Sequence, residues 1–319
     1  GSIPVLGIFF CFLFYLLWRL AGKIPMYSDT HFHFQNLTDD DAEKGAEILE
    51  TMAADKPVLA LDIGVRCDDL LSRQAHMADS IDNISNPERR ARAERMIRFS
   101  AGIWPDVDEI KDRENCMETL VEQIEDSTED GERFAKKLCA IGECGIDHHW
   151  NPSNPDGRSE DDFDASVYEG ERELFIMQLQ LAKKMQLPVI VHSRDAFDDT
   201  FDCIKEVGYD CGIIHCYSYG INEAKKFIDR GWHLAFGGAV TYTKKSKMEE
   251  MEELLRYVPD DALLLETDSP YLAPVPLRGS VNTPLNIRYI YEFISAKRNI
   301  SMQQLNRIVE KNCEKLFKL

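Results

Sequence analysis

Short runs of apolar and β-branched residues recur along the chain, separated by longer stretches in which apolar residues return every three or four positions. Runs of the first kind predict buried β-strands, and the longer spacing predicts amphipathic α-helices. The predicted strands cover residues 26–31, 58–63, 98–103, 138–143, 188–192, 212–215, 233–236 and 263–267. The predicted helices cover residues 41–54, 109–124, 171–185, 222–230, 248–257 and 286–297.

The alternation of eight strands with helices is typical of a (β/α)8 or TIM barrel, an α/β fold of about 250 residues. We therefore predict that residues 25–319 form a single TIM-barrel domain. The active site of such a barrel lies at the carboxyl-terminal ends of its strands. Polar residues that close an apolar run are therefore the first candidates for chemistry.

Six side chains that can bind a metal ion stand at the ends of these apolar runs. Residues two apart in a strand point to the same face, which pairs His31 with His33 and Glu266 with Asp268. Imidazole mixed with carboxylate suits Zn²⁺ or Mn²⁺, whereas Mg²⁺ prefers oxygen ligands. The six candidate ligands are His31, His33, Glu143, His192, His215 and Asp268.

Each of these residues also has a structural explanation when it is taken alone. A His-x-His pair occurs in polar edge strands, and a single buried histidine or carboxylate is more often satisfied by a neighbour in the core. Glu266 and Asp268 are also residue types that cap helices. The joint pattern favours a metal site, because all six metal-competent side chains end an apolar run.

Five motifs resemble, in their order along the chain, those of the TatD family of metal-dependent deoxyribonucleases. The likeness extends from about residue 26 to residue 317. It implies a TIM barrel of the metallo-dependent hydrolase type that cleaves nucleic-acid phosphodiester bonds, as a 3′ to 5′ exonuclease on DNA. The motifs are Asp29-Thr-His-Phe-His33, Gly142-Glu-Cys-Gly-Ile-Asp147, Val191-His-Ser-Arg-Asp195, His215-Cys-Tyr-Ser218 and Glu266-Thr-Asp-Ser-Pro-Tyr-Leu272.

The resemblance implies a catalytic centre with two divalent metal ions, Mg²⁺, Mn²⁺ or Zn²⁺. His31, His33 and Asp268 are expected to hold one ion and His192 with His215 the other. Glu143 is expected to bridge the two ions. Two such ions activate water and stabilise the charge that develops on the phosphoryl oxygens. Asp268 is then the expected general base, and Glu266 is expected to orient a metal ligand.

Three further residues are predicted to bind substrate, Arg194 after the fifth strand and Arg278 with Asn282 after the eighth. An arginine can pair with a phosphate through two parallel hydrogen bonds. The chain departs from the usual family pattern at Trp104, where members commonly have histidine, and at Thr283, where they often have glutamate. None of the six candidate ligands is changed.

The charge of the chain opposes tight binding of nucleic acid. The chain has 37 Lys and Arg against 56 Asp and Glu, a formal net charge of -19, whereas nucleic-acid binders normally carry a basic surface. Bound divalent ions reverse the sign of the potential locally, so weak, salt-sensitive DNA binding with strong metal dependence is expected. The basic clusters lie at residues 89–95, expected to be a solvated helix face, and at residues 244–247, which follow the seventh strand.

Residues 1–24 form an apolar extension that does not fit a barrel. Its apolar part, residues 3–18, is shorter than the roughly 20 residues that span a bilayer, and Gly1 and Ser2 are typical of a cloning remnant. A soluble cytoplasmic enzyme, or a nuclear one in a eukaryote, is expected, and membrane anchoring is the less favoured alternative. Nine cysteines without a Cys-x-x-Cys motif agree with reduced thiols. No stable protein partner is implied, and the acidic stretch 150–170 is expected to be a solvated loop.

Other functions remain open at the level of sequence. An amidohydrolase that acts on a small amide, ester or lactone uses a related barrel, although it often bridges its metals with a carboxylated lysine on the fourth strand, where this chain has Glu143. A non-catalytic binding module would not need Glu143 and Asp268 together. A membrane-tethered scaffold would depend on residues 1–24.

Overall fold

The barrel consists of eight parallel strands that alternate with helices, as the sequence predicts. The computed structural model describes residues 27–149 and 165–319. The strands are β1 (Asp29–Phe32), β2 (Ala60–Asp62), β3 (Ile97–Ala101), β4 (Leu138–Asp147), β5 (Val189–Arg194), β6 (Gly212–Ile214), β7 (His233–Phe236) and β8 (Leu263–Leu265). Each strand pairs with the next in sequence order, which is the arrangement of a (β/α)8 barrel.

Helices connect the strands and form the outer layer. Those in the described part of the chain are α1 (Phe34–Thr38), α2 (Ala42–Asp55), α3 (Leu70–Asp82), α4 (Pro87–Met96), α5 (Val107–Lys111), α6 (Arg113–Ser127), α7 (Ala165–Met185), α8 (Phe197–Val207), α9 (Ile221–Ile228), α10 (Met248–Tyr257), α11 (Ile287–Arg298) and α12 (Met302–Phe317).

The first and last strands meet just beyond their carboxyl-terminal ends. The His33 N–H donates to the Ser269 carbonyl at 2.8 Å, and the Asp268 N–H donates to the His31 carbonyl at 2.8 Å. The Thr30 hydroxyl also donates to the Leu265 carbonyl at 3.2 Å. These bonds bring the residues that follow β1 and β8 side by side at one end of the barrel.

The strands are buried on both faces, which explains why they are nearly continuous apolar runs. Leu263, Leu264 and Leu265 of β8 are fully buried, as are Phe99 of β3 and Phe236 of β7. Each such side chain contributes about 1.5–3 kcal/mol by leaving water. The apolar interior therefore holds the polar strand ends in fixed positions.

Five helices are absent from the sequence predictions, namely α1, α3, α4, α8 and α12. In α4, only Ala93 and Met96 are buried, so its apolar periodicity is too weak to detect. Its start is nevertheless encoded locally, because the Asn86 side chain accepts from the N–H groups of Glu88 and Arg89 and Pro87 occupies the first turn.

Two predicted features fall largely outside the described residues. They are the apolar extension at residues 1–24 and most of the acidic stretch at residues 150–170. Within residues 27–149 and 165–319, no helix is long and apolar enough to cross a membrane. The eight cysteines of this part of the chain are all free thiols.

Candidate metal centre

The structure brings the six predicted ligands together at the carboxyl-terminal end of the barrel. They come from β1 and the residue after it, from β4 and β5, and from the residues that follow β6 and β8. His31 is fully buried, and Asp268 is 8% exposed. The site is thus a nearly closed cluster of four imidazoles and two carboxylates.

One group of donor atoms, called here the β1 subsite, consists of His31, His33, Asp268 and Oε2 of Glu143. Nε2 of His31 lies 3.3 Å from Nε2 of His33 and 3.2 Å from Oε2 of Glu143. Oδ1 of Asp268 lies 3.6 Å from Nε2 of His31 and 3.5 Å from Nε2 of His33. The donors therefore converge on one point from three strands.

The second group, called here the β5–β6 subsite, consists of His192, His215 and Oε1 of Glu143. Oε1 lies 3.0 Å from Nδ1 of His192 and 3.1 Å from Nε2 of His215, and the two imidazole nitrogens are 3.4 Å apart. Glu143 thus presents one carboxylate oxygen to each subsite. Gly145 lets β4 approach β5 closely, since its φ is +153° and a Cβ there would lie 1.8 Å from the His192 carbonyl oxygen.

The spacing of these donors fits bound metal ions. Two ligands that bind one ion at about 2.1 Å lie roughly 3.0 to 3.4 Å apart. The separations in the β5–β6 subsite, from 3.0 to 3.4 Å, match this geometry. Those in the β1 subsite, from 3.2 to 3.8 Å, overlap this range and extend slightly beyond it. Imidazole nitrogens and carboxylate oxygens are also the ligands that first-row divalent ions prefer. The residues present therefore fit a divalent metal centre.

A second layer of carboxylates holds the histidines of the β5–β6 subsite. Oδ2 of Asp147 lies 2.8 Å from Nε2 of His192. Oε1 of Glu266 lies 3.4 Å from Nδ1 of His215 and accepts from the Cys216 N–H at 2.5 Å. Such contacts set the orientation and basicity of metal-binding imidazoles.

The sequence does not single out Asp147, although a signal exists. β4 continues to Asp147, and residues four apart in a strand share a face, which places Asp147 on the same side as Glu143.

The ends of β1 and β2 are fixed by buried polar networks that the sequence does not reveal. Asp29 accepts from the Thr267 N–H at 2.9 Å and from the Thr267 hydroxyl at 2.6 Å, which joins β1 to the segment that follows β8 and carries Asp268. Asp62 accepts from the Phe34 N–H at 3.0 Å and from buried Arg73 at 2.6 Å. The bond from the Phe34 N–H fixes the chain directly after His33.

The carboxylates of the centre are ionised at neutral pH. Burial raises the pKa of Glu143, but the neighbouring His215, His31 and His192 outweigh it and hold that pKa well below its ordinary value. Burial likewise raises the pKa of Asp268, but the hydrogen bond from His33 and the nearby imidazoles hold it below its ordinary value.

The pKa values of His192 and His215, which face Glu143, shift upward, in the opposite direction. Burial lowers the pKa of His192, but contact with Asp147 and Glu143 raises it to about 9. Burial lowers the pKa of His215 as well, and Glu143 with Glu266 raises it well above its ordinary value. A metal ion must displace protons from these imidazoles, so metal affinity falls as pH falls.

The three predicted substrate residues have different surroundings. Arg194 ends β5 at the mouth, with Nη1 3.9 Å from Oδ2 of Asp147. The guanidinium of Arg278 lies over the ring of Tyr242, 4.4 Å from its centroid. The prediction that Asn282 binds substrate is wrong, because its side chain is fully buried. Its amide donates to the Thr267 carbonyl at 2.9 Å, so it holds the loop after β8 in place instead of reaching substrate.

Trp104 packs at the edge of the centre. Its ring lies edge-on to His192, with 5.6 Å between the ring centroids. The side chain is partly buried.

A (β/α)8 barrel whose mouth gathers imidazoles and carboxylates around a shared glutamate is the architecture of a metal-dependent hydrolase. The profile of TatD-related DNases matches residues 28–318. The chain therefore belongs to the TatD-related DNase family, as the resemblance of its motifs predicts.

Curated relatives agree with this assignment. The uncharacterized metal-dependent hydrolase YcfH of Escherichia coli (strain K12) is 29% identical over 294 residues, which cover 91% of this chain and 94% of YcfH. The uncharacterized metal-dependent hydrolase YabD of Bacillus subtilis (strain 168) is 34% identical over 186 residues, which cover 58% of this chain and 67% of YabD. This chain is thus a metal-dependent hydrolase of the same family.

Solved structures of family members share the fold. The TatD homolog YJJV of Escherichia coli K12 superposes with a TM-score of 0.69 at 22% identity, covering 93% of this chain and all of that chain. A TatD family hydrolase from Entamoeba histolytica gives a TM-score of 0.69 at 19% identity, covering 92% of this chain and 99% of that chain. At these identities the likeness is one of fold.

Proposed function

We propose that this protein hydrolyses phosphodiester bonds of DNA with two divalent metal ions and removes nucleotides from the 3′ end. The observation that carries the proposal is the placement of Glu143, whose two carboxylate oxygens face different subsites. A carboxylate shared in this way holds two ions close together, which suits the in-line displacement at a phosphodiester. The name of the family supports DNA as the substrate.

The ligand sets proposed for the two ions are those that the motifs of the family imply, and the donor distances support them. His31, His33, Asp268 and one oxygen of Glu143 would hold the first ion, and His192, His215 and the other oxygen of Glu143 the second. Bound divalent ions supply positive charge that activates water and stabilises the phosphoryl oxygens in the transition state. Mg²⁺, Mn²⁺ and Zn²⁺ are the candidates for these positions.

Asp268 is the proposed general base. Its carboxylate is ionised because its pKa lies below the ordinary value. Its side chain is 12% exposed, whereas that of His31 in the same subsite is not exposed at all. The Asp268 carboxylate can therefore accept a proton from the attacking water, while His31 stays shielded from solvent.

Arg194 and Arg278 are proposed to bind phosphate oxygens next to the scissile bond. The Arg194 side chain is 39% exposed at the end of β5, and Arg278 is exposed in the loop after β8. A guanidinium at either position can form charge-assisted hydrogen bonds to a phosphate.

The test combines metal analysis with an assay on labelled DNA. Protein stripped with a chelator is supplied with Mg²⁺, Mn²⁺ or Zn²⁺ and given single-stranded DNA labelled at the 5′ end or at the 3′ end. Digestion from the 3′ end shortens the 5′-labelled strand stepwise, and it releases the 3′ label as a mononucleotide at once. A small ester and a small amide are assayed in parallel, because their hydrolysis without DNA cleavage would favour the amidohydrolase alternative.

Asp268→Asn provides the residue-level test. We expect DNA hydrolysis to fall by at least about 100-fold, because the variant removes a metal ligand and the proposed base. Asp261→Asn is the matched control, since Asp261 is exposed just before β8 at the opposite end of the same strand. Full activity of Asp268→Asn with normal metal content would contradict the assignment of the base.

A further inference from the structure

The loops that leave β7 and β8 at the mouth of the barrel contain no acidic residue. The chain has 56 Asp and Glu among 319 residues, yet residues 230–248 and 269–291 contain none. The same stretches contain Lys244, Lys245, Lys247 and Arg278 at exposed positions. One side of the mouth is therefore basic, although the molecule as a whole is strongly acidic.

Direct contacts join the two loops into one surface. The Val275 N–H donates to the Thr241 hydroxyl at 2.8 Å, and Arg278 stacks on Tyr242. The backbones also touch, since a Cβ on Gly238 would lie 1.9 Å from the Leu272 carbonyl oxygen. We call this surface, residues 237–247 with residues 271–281, the β7–β8 shelf.

The cations of the shelf are not neutralised by carboxylates. Across residues 27–149 and 165–319, none of Lys244, Lys245, Lys247 and Arg278 forms an ion pair with an acidic side chain. Other basic residues of the surface are paired, for example Arg133 with Asp82 and Glu94. The nearest acidic residues in sequence, Glu249 and Glu250, begin α10 beyond the shelf. The positive charge of the shelf is available to an anionic ligand.

Exposed apolar side chains belong to the same shelf, and one of them adjoins the metal centre. Tyr271 is 51% exposed, Leu272 37% and Val275 46%. The Tyr271 ring lies 5.7 Å from the His33 ring, measured between centroids. Proteins bind single-stranded nucleic acid with aromatic rings that stack on its bases and with cations that contact its phosphates. Tyr271 and the unpaired cations of the shelf provide both kinds of contact.

The mouth is more acidic at the end of β5. Asp195 follows this strand, with its side chain 65% exposed beside His149, and Asp198 and Asp199 lie in the first turn of α8. Arg194 offers one cation beside these carboxylates, whereas the β7–β8 shelf offers four cations and no carboxylate, so the shelf attracts a polyanion more strongly.

We propose that the β7–β8 shelf binds the part of a single-stranded nucleic acid that adjoins the bond to be cleaved. Lys244, Lys245, Lys247 and Arg278 contact phosphates, and Tyr271 stacks on a base. This assignment rests on the proposed nuclease function and adds to it the path of the substrate strand over the barrel.

The test compares two triple variants of the full chain, each of which removes three positive charges. Lys244→Gln/Lys245→Gln/Lys247→Gln alters the shelf. Arg89→Gln/Arg92→Gln/Arg95→Gln alters α4, whose last turn leads into the amino-terminal end of β3 at the far end of the barrel. Binding of a fluorescent single-stranded oligonucleotide with cleavage-resistant phosphorothioate linkages is measured by anisotropy at several salt concentrations, with folding checked by circular dichroism.

We expect the shelf variant to bind about tenfold more weakly than the wild type, with a salt slope that is smaller by about 2. The α4 variant should keep the affinity and slope of the wild type. Equal losses in both variants, unchanged binding of the shelf variant, or no binding by the wild type would overturn the assignment. A wild type that binds the strand through the shelf yet leaves unmodified DNA intact would refute the nuclease function alone.

Discussion

At the scale of single residues, Glu143 is the side chain on which both subsites depend. Its oxygens lie 3.2 Å from His31 and 3.0 Å from His192, so it touches imidazoles from β1 and β5 at once. The neighbouring imidazoles keep it ionised although it is buried. A single carboxylate thereby couples the geometry of the two groups of donors.

Asp147 and Glu266 contact histidines of the centre and are not themselves candidate ligands. Their effect on metal binding is measurable. Asp147→Asn and Glu266→Gln should each weaken metal affinity about 10- to 100-fold, because each weakens the contact that orients His192 or His215 while all six ligands remain. Isothermal titration with Mn²⁺ or Zn²⁺ measures the change, and Asp261→Asn is the control. Wild-type affinity in both variants would contradict the orienting role.

Glu109 makes stability depend on pH. Burial raises the pKa of this α5 carboxyl from its ordinary 4.5 to about 7, and Arg66, with Nη2 3.6 Å away, offsets this only in part. The unfolded chain loses the proton near pH 4.5 and the native state near pH 7, so this group makes the protein less stable as pH rises between those values.

Glu109→Gln should therefore stabilise the protein above pH 7 by about 1 to 3 kcal/mol and change little at pH 5. Urea unfolding of both proteins at pH 5 and pH 8 measures the difference. An equal effect of the substitution at the two pH values would show that the ionisation of Glu109 is not its cause.

The sequence anticipates the gathering of the six candidate ligands, because each ends an apolar run and parallel strands end at the same face. It misses partners that only the folded chain brings together, such as Asp29 with Thr267, 238 residues apart. Asn282 shows the opposite error. A polar residue in a loop at the mouth suggested substrate contact, whereas packing buries it completely.

At the scale of elements, the connection from β2 to α3 supports the start of the site. Arg73 of α3 is buried and donates to Asp62 at 2.6 Å, to Asp69 at 2.9 Å and to the Ser100 carbonyl at 2.7 Å. The same Asp62 accepts from the Phe34 N–H. One guanidinium thus ties β2, β3 and α3 to the segment that follows His33.

Arg73→Met should lower the free energy of unfolding by about 3 to 5 kcal/mol, because it leaves buried Asp62 without its cation. Arg133→Met is the matched control, since Arg133 also contacts two carboxylates but is 34% exposed. Its loss should amount to about 1 kcal/mol or less. Urea unfolding measures both variants, and equal losses would contradict the special role of the buried network.

The strands of this protein are easier to predict from its sequence than the helices. All eight predicted strands overlap the observed ones, because burial on both faces makes each a compact apolar run. Helices with little buried surface escape detection, as α4 with only Ala93 and Met96 buried shows. Its start follows from Asn86 and Pro87 instead, which are signals of capping and not of periodicity.

At the scale of the whole molecule, the distribution of charge matters more than its sum. A net charge of -19 argues against a nucleic-acid enzyme, but acidic residues are missing from the two stretches that form the β7–β8 shelf. The lysines at residues 244–247 are evident from the sequence, but only the fold shows that they share a surface with Arg278 and Tyr271. The average composition therefore hides a basic surface formed by the loops after β7 and β8.

A centre of two metal ions bridged by Glu143 predicts a defined metal stoichiometry. Wild type, Glu143→Gln and Asp261→Asn are loaded with Mn²⁺ or Zn²⁺, dialysed and analysed by inductively coupled plasma mass spectrometry. We predict two ions per chain in the wild type and in Asp261→Asn, and loss of at least one ion in folded Glu143→Gln. Two ions retained by Glu143→Gln, or fewer than two in the wild type, would contradict the account.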